Sequence, residues 1–249
     1  MTRRKIIAGN WKMYKTRDEA LALVSDILPA VRDIKDREVA LFVPAVHAHE
    51  VSSLCAGVID TGMQNIYFEK EGAFTGEISP VMARDCGCRY TLVGHSERRN
   101  IFGESDILVN KKMVSALNFG LEPVICVGEL PVEYELGLSK EVCCRQIVEG
   151  LAGITAEQMS SVLVSYEPIW AIGTGKVATP DVIGGMHAAI RNAIAGLFGA
   201  ETAKKVPILY GGSVKPDNAA GILAVNDVDG VLVGGASLKV DSFLSIARS

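Results

Sequence analysis

Apolar residues along the chain fall into two alternating kinds of segment. Short runs rich in β-branched and aliphatic residues recur over the whole length: KIIAG from Lys5, VALFV from Val39, VIDTGM from Val58, YTLVG from Tyr90, LEPVICV from Leu121, SVLVSY from Ser161, VPILY from Val206 and VDGVLVG from Val228. They are continuous rather than alternating, as in strands buried on both faces of a parallel sheet, although a buried helix segment reads similarly over so few residues. The segments between them separate the two. Behind Thr16-Arg17-Asp18-Glu19, which reads as a capping box, Ala20, Leu21, Val24, Ile27, Leu28 and Val31 repeat at helical spacing. Ser79-Pro80, Thr179-Pro180 and Lys215-Pro216 each set proline where a helix's first turn tolerates a missing N–H, and Ser105 is placed to cap a helix running towards Phe119. Strand and helix signals thus alternate throughout the 249 residues. They predict an α/β chain folded as one (β/α)₈ barrel across residues 1–249, eight parallel strands with surrounding helices, rather than an open doubly wound sheet.

Composition narrows the partners. Nearly half of the residues are hydrophobic, enough to bury a substantial core. Lysine plus arginine total 25 against 29 acidic residues, so no positive surplus is available to neutralise a nucleic-acid backbone. The apolar run after the basic residues of MTRRKIIAGNWKM is too short for a signal peptide, and no stretch is long enough to span a bilayer. A soluble, cytoplasmic protein without nucleic-acid or membrane partners is therefore expected. The six cysteines, at 55, 86, 88, 126, 143 and 144, fit neither the paired spacing of a zinc site nor a small disulfide framework and read as reduced, mostly buried thiols. His47-Ala48-His49-Glu50 is metal-like only in composition, because histidines two apart on a helical segment point to different faces.

In a barrel of this kind the loops after the strands converge on one face, so residues just past each strand meet although distant in sequence. Asn10 and Lys12 follow the first run, His95, Ser96 and Glu97 the fourth, Glu129 the fifth, Glu167 the sixth, Gly211, Gly212 and Ser213 the seventh, and Gly234 and Gly235 the eighth. One rim is expected to hold them all. Glu167 precedes Pro168, which biases it towards an extended backbone facing the barrel mouth. Taken alone it reads equally well as a structural acid, His95 as a satisfied structural histidine and Lys12 as a solvated charge. Together, an imidazole and a cation opposite a carboxylate are what enolate chemistry needs: a base removes a proton next to a carbonyl while donors stabilise the oxygen gaining charge. The glycine pairs after the last two strands are either plain tight turns or the backbone N–H groups of a phosphate site, which such barrels build there. Pro168 to Ala178, with Gly173 and Gly175 near its tip and no regular period, reads as a lid. Its Gly173-Thr174-Gly175-Lys176 is not a P-loop, which needs glycine at Trp170 and serine or threonine at Val177.

From Gly9 to Leu238 the chain resembles the triosephosphate isomerase family, in GNWKM at Gly9, GAFTGEISP at Gly72, GHSERR at Gly94, CVGE at Cys126, YEPIWAIGTGK at Tyr166, YGGSV at Tyr210 and LVGGASL at Leu232. The joint order of these segments carries the resemblance. It implies a TIM barrel that interconverts glyceraldehyde 3-phosphate and dihydroxyacetone phosphate through an enediolate, a step of glycolysis and gluconeogenesis, with no metal or organic cofactor. By the same resemblance Glu167 shuttles the proton, His95 is the electrophile, Lys12 supplies positive charge with Asn10 beside it, and Gly173, Ser213, Gly234 and Gly235 hold the phosphate. Ser96, Glu97, Cys126 and Tyr210 fall at supporting positions. A homodimer is implied as well, its loop from Gln64 to Glu77 inserting beside the neighbouring active site. Two positions depart from the family pattern: Tyr14 stands where asparagine is frequent and Met63 where alanine commonly precedes Gln-Asn, and both bear on the interface rather than the chemistry. Two rivals share part of the pattern. Another phosphate-binding barrel, such as a biosynthetic isomerase, needs the glycine pairs but not Lys12, His95 and Glu167 together, and a sensor would bind a phosphorylated metabolite without turning it over.

Overall fold

In the computed structural model, which describes residues 3–249, each apolar run contains a strand. β1 (Ile6–Asn10), β2 (Glu38–Val43), β3 (Asp60–Met63), β4 (Tyr90–Val93), β5 (Glu122–Val127), β6 (Leu163–Tyr166), β7 (Ile208–Tyr210) and β8 (Gly230–Val233) pair in sequence order, all in parallel. Ile6 lies opposite Glu38 on one side and Gly230 on the other, so β8 returns to β1 and the barrel closes. The expected (β/α)₈ architecture is what forms. The surrounding helices are α1 (Arg17–Val31), α2 (Ala48–Cys55), α3 (Pro80–Asp85), α4 (Ser96–Asn100), α5 (Asp106–Asn118), α6 (Pro131–Glu135), α7 (Ser139–Gly150), α8 (Pro180–Phe198), α9 (Ala200–Ala203), α10 (Ala219–Leu223) and α11 (Val240–Ala247).

Local chemistry accounts for most helix starts. Glu19 Oε2 accepts the Thr16 backbone N–H at 2.7 Å, closing the reciprocal arm of a capping box. Ser79, Ser105 and Thr179 each accept a hydrogen bond from the N–H three residues on, at 3.2, 3.3 and 3.4 Å. Two expectations need correction. The buried stripe of α1 is Ala20, Leu23, Val24, Ile27 and Val31, so Leu23 rather than Leu21 faces the barrel and Leu28 is only half-buried. Pro216 does not open a helix: Asn218 Oδ1 accepts the Lys215 N–H at 2.8 Å, a side-chain turn that competes with the helix, and α10 starts at Ala219.

Two apolar shells explain why the strand runs are continuous. Alternate residues point inward, where Ile6, Ala8, Ala40, Phe42, Tyr90, Leu92, Val124, Cys126, Leu163, Leu209 and Leu232 fill the barrel. The intervening residues, such as Ile7, Leu41, Val93, Ile125 and Val164, pack against the helices. The period-2 alternation also fixes the mouth. One step beyond the inner residues come Asn10 on β1, Gly128 after β5, Glu167 after β6, Gly211 after β7 and Gly234 after β8. At the other end Arg4 and Arg89 share Glu38 and Glu122, and Arg89 also reaches Asp60. All six cysteines are free. His47 is buried with Nε2 3.0 Å from the Lys15 carbonyl, while His49 is exposed on α2. Among the described residues no group of three His, Cys, Asp or Glu stands together to hold a metal, and no helix is long and apolar enough to cross a membrane.

Candidate active site

A cavity of about 270 Å³ opens at the C-terminal mouth, lined by Asn10, Lys12, His95, Glu167, Ile172, Gly173, Ser213, Leu232, Gly234 and Gly235 among others. It lies just below the ~300–1,000 Å³ usual for drug-sized ligands and suits a small metabolite. Every catalytic and substrate-binding position expected from the sequence is in this lining. Glu167 is buried, and its Oε2 accepts the backbone N–H of Ser96 at 2.9 Å. Its Oε1 has no hydrogen-bond partner and lies 3.6 Å from His95 Nε2. His95 is the N-cap of α4, where its Nδ1 accepts the Glu97 N–H at 3.3 Å. A backbone N–H can only donate, so Nδ1 carries the lone pair and the ring proton sits on Nε2, facing the cavity.

Lys12 reaches the same space from β1. Its backbone is left-handed (φ 52°), a conformation costly for a residue with a Cβ, and its N–H is held by Asn10 Oδ1 at 2.9 Å. The Gln64 amide donates to the Lys12 carbonyl at 2.8 Å and to the Phe42 carbonyl at 3.1 Å. Lys12 Nζ pairs with Glu97 Oε1 at 2.5 Å, which holds the ammonium at the mouth.

The remaining expectations are redistributed. Ser96 contributes its N–H. Cys126 lies in the inner core beneath the site, where burial first and the Glu167 carboxylate second push its thiol well above the ordinary range. Tyr210 points outward into the helical shell, and burial pushes its hydroxyl up to about 12. A Cβ on Gly212 would lie 2.2 Å from that hydroxyl, so the second glycine of the pair is set by packing. Gly211 makes room for the Glu167 side chain, since a Cβ there would meet Glu167 Cγ at 2.8 Å. Glu129 leaves the rim altogether. It is fully buried and accepts Trp170 Nε1–H at 2.7 Å and the Tyr166 hydroxyl at 3.0 Å, so it anchors the root of the lid. Trp170 also stacks on Tyr134 at 4.1 Å. Between buried Ala171 and Ala178 the segment Gly173–Val177, expected as a lid, stands exposed. Ile172 and Leu232, which give the cavity its apolar wall, are not among the expected site residues, and Gln64 was expected only at the start of the interface loop. Leu232 was detectable as an inward position of its strand, and Gln64 as a polar residue just past β3.

A family model described as triosephosphate isomerase matches residues 5–249. The chain belongs to the triosephosphate isomerase family. It is 50% identical to the triosephosphate isomerase of Carboxydothermus hydrogenoformans over 247 residues, 99% of this chain and 98% of the relative. The triosephosphate isomerases of a Roseiflexus species (49% over 247 residues, 99% and 97% covered) and of Chloroflexus aurantiacus (50% over 242 residues, 97% of both) are similarly related. Membership sets aside the biosynthetic isomerase and the silent sensor. The chain is an intramolecular aldose–ketose isomerase that interconverts dihydroxyacetone phosphate and glyceraldehyde 3-phosphate.

Proposed function

We propose that Glu167 is the base that moves the proton between neighbouring carbons of the triose phosphate, with His95 and Lys12 stabilising the oxygen as it becomes an enediolate. The observation that carries this reading is the free Oε1 of a buried carboxylate set 3.6 Å from His95 Nε2 in a cavity that Lys12 also lines. A substrate carbonyl between them meets a neutral N–H donor and a fixed cation, both aimed where charge develops. Asn10 holds Lys12 in its left-handed backbone. The phosphate lies on the far side of the cavity, on the backbone N–H groups of Gly173, Ser213, Gly234 and Gly235. Lowering of the lid brings Gly173 to it, excludes water and restrains an intermediate able to expel phosphate. Glu167→Gln is expected to abolish nearly all turnover while still binding inorganic phosphate, and isomerisation in heavy water to place deuterium on product carbon. Near-normal turnover in the variant, or a product free of deuterium, overturns the assignment.

The working unit in this reading is a homodimer. Beside the active site a groove of about 290 Å³ is lined by Lys12, Met13, Met63, Gln64, His95, Glu97 and Phe102, among others. Met13, Val46, Ile101 and Phe102 are all at least two-thirds exposed around it, an apolar surface suited to the partner's Gln64–Glu77 loop. Tyr14 belongs to the same exposed surface, whereas Met63 is buried and only floors the groove. Sedimentation at micromolar concentration is expected to give a dimer, and a monomer with full turnover removes the second copy from the mechanism.

A further inference from the structure

Gln146 is a buried side-chain amide on α7 that touches nothing in the cavity, yet both ends of its amide close on the backbone of one rim residue. Its Oε1 accepts the Gly128 N–H at 2.8 Å, and its Nε2 donates to the Gly128 carbonyl at 3.2 Å. β5 ends at Val127, so the buried Gly128 has left the strand ladder, and its two polar groups need partners. Gln146 supplies both.

The opposite side of Gly128 is pressed against the backbone of Glu167. A Cβ at position 128 would lie 1.9 Å from the Glu167 carbonyl oxygen, closer than any real contact allows. Around it, the Glu167 N–H donates to the Val127 carbonyl at 2.8 Å, Gly211 N–H donates to the Tyr166 carbonyl at 2.7 Å and Glu167 Oε2 accepts the Ser96 N–H at 2.9 Å, while the next residue, Pro168, has no N–H to donate. Two residues later Ile169 N–H donates to the Glu129 carbonyl at 3.3 Å, so the same loop also steadies the root of the lid.

We propose that Gln146 is a positioning residue for the isomerisation: by holding both the N–H and the carbonyl of Gly128, it fixes the surface against which the backbone of Glu167 is set. The inference rests on the reading of Glu167 as the base. Its energetic basis is the steep cost of misplacing a reacting group, about a hundredfold in rate for an error near 1 Å.

Gln146→Met keeps the side-chain length and removes both hydrogen bonds. It is expected to lower kcat about tenfold or more, with KM within about twofold of the wild type and inorganic phosphate bound equally well, because the phosphate subsite lies across the rim. In the Glu167→Gln background the same change is expected to cost almost nothing further, since a residue that acts through Glu167 has nothing left to position. Should Gln146→Met not fold, Gln146→Glu retains an acceptor for the Gly128 N–H and is expected to give a kcat below the wild type at unchanged KM. Wild-type kcat in either folded variant, or a full additional loss in the double variant, overturns the proposal. The two readings fail differently: persistent turnover in Glu167→Gln removes the base, whereas an inert Glu167→Gln beside a fully active Gln146→Met removes only Gln146.

Discussion

Gly211 shows how little space separates a well-set Glu167 carboxylate from a misplaced one. Its backbone is not left-handed, so the position demands glycine for steric reasons alone: an added Cβ would lie 2.6 Å from Ser165 Oγ and 2.8 Å from Glu167 Cγ. Strand β6 is fixed by its ladder, and the Glu167 side chain is the part able to yield. Gly211→Ala is therefore expected to keep the fold and phosphate binding but to lower kcat by ~10²-fold, the scale of a misplacement near 1 Å. A kcat within twofold of wild type would mean that the carboxylate tolerates the shift. The sequence offers this glycine as part of a tight turn or a phosphate site, and the packing adds a steric reason that neither reading contains. Which atom a glycine leaves room for depends on the packing of a neighbouring strand, and no local pattern records it. Glu129 was misplaced for a related reason. It follows its strand as Glu167 follows β6, but it turns outward to Trp170 and Tyr166, which come from the next β/α unit.

Elements were far more legible than side-chain directions. All eight strands stand out because burial on both faces forces continuous apolar runs, and the caps of α1, α3, α5 and α8 are local events encoded within four residues. The exposed segment after Trp170 was readable as an irregular, glycine-bearing stretch, but its root was not. That root is a long-range contact in which the Trp170 indole meets a buried Glu129 carboxylate 41 residues away. Burial, with the Glu129 charge next, pushes the Tyr166 hydroxyl far above its ordinary range, so it too stays a donor to that carboxylate. Trp170→Phe keeps an aromatic ring against Tyr134 and removes the indole N–H. Losing a hydrogen bond to a charged, buried group costs ~1.5–3 kcal/mol, and the lid then closes from a looser hinge. The expected result is a lower melting temperature together with more inorganic phosphate released per isomerisation. If the melting temperature falls while the phosphate ratio stays at the wild-type value, the hinge contact is structural only.

For the whole molecule the decisive seam is where the eighth strand meets the first. Asp229 accepts from Arg3 Nε at 2.5 Å, Arg191 Nη2 at 2.8 Å and Ile208 N–H at 2.9 Å, and Asp227 binds the same two arginines. These contacts join α8, β7 and the start of β8 to the segment leading into β1. His187 sits in that corner, fully buried, with Nδ1 3.0 Å from the Asp227 carbonyl and therefore donating to it. Burial is the main reason its pKa falls from 6.5 to about 4, with Arg191 adding to it against the Asp227 contacts. The folded pKa lies below the unfolded one, so between these values the unfolded chain binds the proton first. The contribution of His187 is complete above pH 6.5 and is lost as the pH falls towards 4, by about 3 kcal/mol across the window. Glu38 acts lower on the scale. Burial alone would raise its pKa, but hydrogen bonds from Arg4 and Tyr90 outweigh that and hold it below the ordinary carboxylate range. Its contribution is thus lost only in stronger acid. Urea unfolding at fixed protein concentration, compared at pH 7 and pH 4.5, is expected to show most of this decline in the wild type. In His187→Gln, which keeps a donor but cannot take up a proton, the decline is expected to be much shallower. An equal slope in both proteins would place the acid sensitivity elsewhere than at the closing seam.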